Sequence, residues 1–174
     1  MAGKRGTVNG WSHQATKNNV RFLRSVTLPE LTGVGVAFTL TVKDCPATGE
    51  EWHRLRRAFL MRLTRAGMSR LHWVTEWQRR GVPHLHGVAY FPDPPYSIQW
   101  DIKDAWLAVS GLYGSESYAQ NTVIIHDSLG WLKYLAKHAA RGVTHYQRSS
   151  DSIPAGWKKT GRVWGHTGDW PVRE

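Results

Sequence analysis

The sequence predicts an α+β fold: a two-layer sandwich in which helices pack on one face of a central antiparallel sheet of ferredoxin-like (split βαβ) topology. Three observations support this prediction. The segments follow the order β-α-β-β-α-β-α. A short turn joins the two central strands, which makes them antiparallel. Apolar residues make up 41% of the 174 residues, enough for one packed core.

Each element is predicted from its periodicity and its flanking turn residues. Residues 34–42 (VGVAFTLTV) are β-branched and apolar, which indicates a buried strand. Residues 50–66 place Trp52, Phe59 and Leu63 on one helical face, and Gly67 ends this helix. The same reasoning predicts strands at 71–78, 84–91 and 123–126, and helices at 100–112 and 128–141.

The two ends of the chain show little periodicity. Residues 1–33 are rich in Gly, Asn, Lys and Arg and predict a basic N-terminal arm that is at most partly ordered before a partner binds. Residues 34–174 are expected to form a single domain. The segment 156–161 (GWKKTG) does not match a phosphate-binding loop, so no helicase domain is expected.

The charge balance favours a polyanionic partner. The net charge is +10 and the isoelectric point is about 10.1, values typical of nucleic-acid-binding domains. Cys45 is the single cysteine, which excludes an intramolecular disulfide and a cysteine-rich zinc site. Neither a signal peptide nor an apolar membrane span is predicted, so we expect a cytoplasmic location.

Three residues of the predicted hairpin indicate a metal site. His84 and His86 are separated by one residue, so their side chains point to the same face of a strand. If the turn spans residues 79–83, Glu76 lies directly across from His86, on that same face. Two imidazoles and a carboxylate would leave coordination positions open, as a catalytic metal requires. This donor set suits Mn²⁺ or Mg²⁺, and Zn²⁺ or Co²⁺ remain alternatives.

The last predicted helix carries a candidate nucleophile. Tyr134, Lys137, His138 and Arg141 lie at i, i+3, i+4 and i+7 and share one helical face. A tyrosine hydroxyl has a pKa near 10, and a neighbouring cation favours its ionised form. Lys137 can supply that charge, or it can neutralise charge on a bound phosphate. The alternative is a helix that packs Tyr134 in the core.

These segments together resemble a known superfamily. The sequence HLHG (residues 84–87), the upstream Glu76 and the downstream YLAK (residues 134–137) are similar to the HUH endonucleases. The order of the histidines and the tyrosine resembles the single-tyrosine rolling-circle replication initiator (Rep) proteins of plasmids, phages and small single-stranded DNA viruses. The resemblance covers residues 34–141.

The resemblance implies a function and a role for each residue. Glu76, His84 and His86 would hold the metal, Tyr134 would attack DNA, and Lys137 would assist. The product would be a 5′-phosphotyrosine and a free 3′-hydroxyl that primes replication. Single-stranded DNA, an origin hairpin, and a host helicase and polymerase would be the partners. The candidate contacts to the DNA backbone are Arg56, Arg57, Arg79, Arg80 and Arg141.

Three alternatives remain open from the sequence. A ferredoxin-like nucleic-acid-binding domain without catalysis would not require Tyr134 and Lys137. A metal-dependent hydrolase would activate water and leave no covalent adduct. A transposase-type HUH nuclease would carry glutamine four residues after the tyrosine, where this chain has His138.

Overall fold

The computed structural model describes residues 8–173 and contains nine principal elements among them. The strands are β1 (Val34–Thr41), β2 (Arg70–Trp77), β3 (Pro83–Phe91), β4 (Asn121–Ile125) and β5 (Trp164–Gly168). The helices are α1 (His13–Ser25), α2 (Gly49–Arg65), α3 (Ile98–Ser110) and α4 (Ser128–Ala139).

The five strands form one sheet in the order β4-β1-β3-β2-β5, and every neighbouring pair is antiparallel. The run β1-α2-β2-β3-α3-β4 with this strand order is the ferredoxin-like arrangement. The predicted α+β class and antiparallel sheet are therefore confirmed. β5 extends the sheet beyond β2 and is not predicted by the sequence.

Helices cover both faces of the sheet. On one face, Trp52 and Phe59 of α2 and Trp106 of α3 pack with Phe38 and Trp73 of the strands. On the other face, α1 and α4 pack against side chains of β3. The buried residues of this second cluster include Leu23, Val88, Tyr90, Trp131 and Tyr134. The sequence predicts helices on one face; β3 is buried on both, so α1 and α4 supply the second cover.

Helix α1 corrects the prediction of a weakly ordered basic arm over residues 1–33, as far as residues 8–33 are concerned. The Ser12 hydroxyl accepts a hydrogen bond from the Ala15 amide at 3.0 Å and caps the helix. Leu23 and Asn19 are buried beneath the helix, and Trp11 before it joins the larger core. Residues 1–7 of the predicted arm lie outside the described residues.

The β2–β3 hairpin has a different register from the one predicted. Glu76 pairs with His84, and His86 pairs with Val74, whereas the sequence predicts Glu76 opposite His86. The reason is the turn: the Gln78 amide donates to the Val82 carbonyl at 2.9 Å, so the loop closes one residue earlier. The pairing therefore shifts by two residues, and Glu76 stays on the face of both histidines.

None of the helices within residues 8–173 is long and apolar enough to cross a membrane.

Candidate active site

Three ligand-type side chains meet on the α4 face of the sheet. Glu76 on β2 and His84 and His86 on β3 are all buried, and one ligand atom from each lies within 4.8 Å of the others. Each residue is fixed by a central strand that is paired on both sides. This group can hold a metal ion.

The imidazole of His86 is oriented as a metal ligand. Its Nδ1 lies 2.9 Å from the Thr39 hydroxyl on β1, and its Nε2 lies 3.3 Å from Oε1 of Glu76. Nε2 is buried and makes no hydrogen bond within the described part of the chain. A ring held through Nδ1 with a free Nε2 lone pair is the usual arrangement around a metal-binding histidine.

Both histidines are in the neutral form that binds metals. Burial lowers the pKa of His84 to about 3, and the charges of Arg141, Lys137 and Arg80 act in the same direction. Burial also lowers the pKa of His86 well below its ordinary value, with the neighbouring His84 and Lys137 adding to the effect.

Two arginines engage the Glu76 carboxylate. Arg148 donates from Nε to Oε2 at 2.8 Å, and Arg141 pairs with Oε1. Arg148 is fully buried, and a second donor on its guanidinium reaches the carbonyl of Arg141 at 2.9 Å. A cation that binds between Glu76 and His86 would therefore share Oε1 with Arg141. The sequence proposes Arg141 as a contact for DNA; here its charge lies against Glu76.

Tyr134 lies on the same face of the sheet as the three ligand-type residues. It belongs to α4, which begins at the N-cap Asp127, whose side chain accepts from the Gly130 amide. Its ring lies 4.4 Å from the His138 ring, and that ring lies 6.2 Å from His86. The imidazole of His138 therefore stands between Tyr134 and the metal-type group.

The Tyr134 hydroxyl is buried and lies 2.6 Å from Nδ1 of His72. Burial raises the pKa of Tyr134 well above its ordinary value, and the carboxylate of Glu76 raises it further. This direction is opposite to the one expected from a cation at Lys137. The nearby positive charge that lowers the pKa of Tyr134 belongs to Arg148.

Lys137 faces the ligand-type residues. It is exposed overall, and its charge lowers the pKa of His84, His86 and His138. Its own pKa is lowered, first by partial burial and then by Arg141. It is therefore placed to meet an anion that approaches the histidines.

A cavity of about 620 Å³ opens beside His84. It is lined by side chains of β1, β3, the hairpin turn and the loop after α4, among them Thr39, Gln78, Arg79, Arg80, Tyr146 and Gln147. The Arg79 guanidinium lies over the Tyr146 ring at 4.2 Å. Arg80 donates to the Val42 carbonyl at 2.6 Å, which fixes it at the rim.

Arg56 and Arg57 lie in a different layer. Both belong to α2, on the face opposite Glu76. The Arg56 guanidinium lies 3.9 Å over the Trp73 ring, and burial lowers its pKa to about 10. The structure thus brings Arg79, Arg80 and Arg141 to the candidate site and leaves Arg56 and Arg57 away from it.

Sequence reasoning misses three residues of this region. It assigns His72 only to the core edge or to a DNA-facing surface, although the parity of His72 with Glu76 on β2 places it on the same face. Asn19 belongs to the unpredicted helix α1 and lies 2.6 Å from His72. Arg148 belongs to a segment without periodicity, so no local pattern indicates its contact with Glu76.

The comparisons with known proteins agree with the resemblance. Residues 35–139, more than half of the chain, match the family model of replication-associated proteins of the ORF2 type. The chain is 52% identical to the replication-associated protein of Pseudomonas phage Pf3 over 99% of its length, which is 63% of that protein. It is 56% identical to "Putative replication protein PDa0002" of Xylella fastidiosa strain Temecula1 over 97% of its length, which is 64% of that protein.

The chain thus spans less than two thirds of these relatives. No solved structure is significantly similar to it. The family match covers β1 to α4, the elements that carry all three ligand-type residues, Tyr134 and Lys137. The predicted resemblance is confirmed: the chain belongs to the ORF2-type family of replication-associated proteins.

Proposed function

We propose that this chain cuts and rejoins single-stranded DNA at a replication origin, with Tyr134 as nucleophile and a divalent ion, Mn²⁺ or Mg²⁺, at Glu76, His84 and His86. The product is a 5′-phosphotyrosine and a 3′-hydroxyl that primes rolling-circle replication in the host cytoplasm. A host helicase and polymerase complete the process, and an origin hairpin supplies the single strand.

One observation carries the proposal. The ligand-type group and Tyr134 lie on the same face of one sheet, linked by the row of rings from Tyr134 through His138 to His86. A non-catalytic DNA-binding domain does not require a buried carboxylate and two neutral imidazoles at this position. Membership of a replication-associated family agrees with it.

The residues of the chain divide the work. A divalent ion bound by Glu76, His84 and His86 would act as a Lewis acid on the scissile phosphate. Thr39 holds the His86 ring, and Arg148 holds the Glu76 carboxylate, so the ligand set is oriented before DNA arrives. Lys137 and Arg141 face the same place and offset the charge of the phosphate.

The cavity beside His84 fits the strand that approaches this face. Arg79 and Arg80 supply positive charge for its backbone, and the Tyr146 ring offers a surface on which a base can stack. Attack by the Tyr134 oxygen on phosphorus releases the 3′-hydroxyl. The phosphodiester is conserved in the tyrosine ester, so a later 3′-hydroxyl can rejoin the strand.

The test is an adduct assay. The protein is incubated with end-labelled single-stranded oligonucleotides from the replicon that encodes it, together with Mn²⁺, and resolved on denaturing gels. We expect an adduct that survives SDS, and no adduct from Tyr134→Phe, which retains DNA affinity within about threefold because only the hydroxyl is removed.

Tyr146→Phe is the matched control, because Tyr146 lies at the same cavity but does not contact His72. It should form the adduct at close to the normal rate. An adduct from Tyr134→Phe that is absent from Tyr146→Phe would move the nucleophile to Tyr146. Cleavage without any adduct would favour a hydrolase that activates water.

A further inference from the structure

Tyr134 belongs to a chain of three buried side chains that the proposed function does not use. Its hydroxyl lies 2.6 Å from Nδ1 of His72 on β2, and Nε2 of His72 lies 2.6 Å from Oδ1 of Asn19 on α1. Both His72 and Asn19 are completely buried. The three residues come from three elements, so tertiary packing alone brings them together.

The hydrogen bonds fix the tautomer of His72. Oδ1 of Asn19 can only accept, so Nε2 of His72 carries the proton and donates it. Nδ1 is then the unprotonated nitrogen and accepts from the Tyr134 hydroxyl. The lone pair of Nδ1 is thus aimed at the one proton that must leave if Tyr134 attacks a phosphate.

We propose that His72 is the general base for Tyr134 and that Asn19 is the positioning residue that holds His72 in the required tautomer. This inference rests on the proposed function, because it takes Tyr134 as the nucleophile. A nucleophile, a base within hydrogen-bond distance and a third group that orients the base form the general arrangement of nucleophilic catalysis.

The proton and electron balance is complete. As the Tyr134 oxygen forms its bond to phosphorus, its proton passes to Nδ1 of His72 and the bond from phosphorus to the 3′-oxygen breaks. The leaving 3′-oxygen takes a proton from water, and the resulting hydroxide is neutralised by the proton that His72 releases. No oxidant, reductant or nucleotide is consumed.

The surroundings keep His72 ready to accept. Burial lowers the pKa of His72 to about 3, with His166 of β5 and Arg148 acting in the same direction, so the ring is neutral at neutral pH. The other titratable groups that face it belong to α4: Tyr134, and His138, whose ring lies 5.8 Å away. A phenol becomes strongly acidic once its oxygen bonds to phosphorus, so a neutral ring suffices, and the phosphate anion favours its protonated form.

The kinetic test compares His72→Gln with the normal protein and with Tyr134→Phe. Glutamine can still accept from the tyrosine but is not a base. We expect adduct formation to fall about 10²- to 10⁴-fold while DNA affinity stays within about threefold. The rate of the normal protein should be flat above neutral pH, whereas that of His72→Gln should rise about tenfold per pH unit, because hydroxide must then remove the proton.

Asn19 is tested by rescue. Asn19→Asp keeps the acceptor for Nε2 and should retain most of the rate, whereas Asn19→Leu frees the tautomer and should lose about tenfold or more. Equal losses in both variants would mean that Asn19 only fills space, and would overturn its role.

A measurement without substitutions covers the case that His72→Gln does not fold. ¹⁵N NMR of the histidine-labelled protein should show Nε2 of His72 protonated and Nδ1 unprotonated. The reverse tautomer overturns the inference, as does a His72→Gln rate within threefold of normal with an unchanged pH profile. In both cases Tyr134→Phe still lacks the adduct and the proposed function stands; an adduct from Tyr134→Phe would remove both.

Discussion

At the scale of single residues, Arg148 is the main support of the Glu76 carboxylate. Its guanidinium donates to Oε2 of Glu76 at 2.8 Å and lies 4.1 Å over the Trp11 ring, in complete burial. A buried carboxylate stays ionised only if opposite charges and hydrogen bonds replace water. The metal-type group therefore depends on a residue from the loop after α4.

Arg148→Met should lower the free energy of unfolding by about 3 kcal/mol, because it removes one partner of a buried ion pair and leaves the other. Chemical denaturation followed by tryptophan fluorescence measures this. Arg162→Met, at an exposed position, is the control and should change the value by less than about 0.5 kcal/mol. Equal effects of the two substitutions would show that Arg148 is not needed at Glu76.

Arg141 opposes the binding of a divalent ion at Glu76. It pairs with Oε1, the same oxygen that lies 3.3 Å from Nε2 of His86. Arg141→Gln removes the competing charge, so we expect Mn²⁺ to bind about tenfold more tightly in isothermal titration calorimetry. Arg57→Gln, on the opposite face, should leave the affinity unchanged. Unchanged or weaker binding by Arg141→Gln would place the ion elsewhere.

The sequence predicts the ligand-type group through parity alone. Any register that pairs residues of equal parity keeps Glu76, His84 and His86 on one face, so the two-residue error in the turn does no harm. Asn19, His72 and Arg148 could not be predicted as partners of the site. Their contacts join residues that are 53, 62 and 72 positions apart, and no local pattern encodes such distances.

At the scale of elements, α1 is the part of the structure that differs most from the sequence prediction. Its exposed face carries Lys17, Arg21 and Arg24, and its buried positions are few, so composition alone resembles a basic arm. Its N-cap and its contacts with α4 make it a structural helix. β5 is missed for a related reason: Gly165 and Gly168 weaken its strand pattern, and pairing with β2 is what orders it.

Leu23→Ala tests whether α1 is packed in solution. Leu23 is 1% exposed, so its truncation should destabilise the protein by about 2–5 kcal/mol through lost burial and a cavity. Arg21→Ala on the exposed face of the same helix should have little effect. If urea denaturation midpoints of the two variants coincide with that of the normal protein, residues 13–25 behave as an arm.

At the scale of the whole molecule, buried neutral histidines make folding sensitive to acid. His53 of α2 lies 2.6 Å from the Thr160 carbonyl, and burial lowers its pKa from 6.5 to about 4. Between these two values the unfolded chain binds more protons than the folded protein. Stability is therefore fully present above pH 6.5 and falls as the pH drops toward 4.

His53→Gln removes this titration and should flatten the pH dependence. Without added metal, we expect the normal protein to lose about 2–3 kcal/mol through His53 between pH 6.5 and 4, in addition to losses at other buried histidines. Thermal or urea unfolding at several pH values measures the difference between the two proteins. Parallel curves would mean that His53 keeps its ordinary pKa in the fold.

The whole molecule joins a basic chain, a ferredoxin-like sheet and one face that gathers acid, imidazole and phenol groups. Covalent attachment of DNA to Tyr134 is the central claim. Its most direct measurement is mass spectrometry of the proteolysed adduct formed with a single-stranded origin oligonucleotide and Mn²⁺. We predict a nucleotide phosphate on the peptide that contains Tyr134. The same modification on a peptide that contains Tyr146 or Tyr118, or cleaved DNA with no modified peptide, would contradict the account.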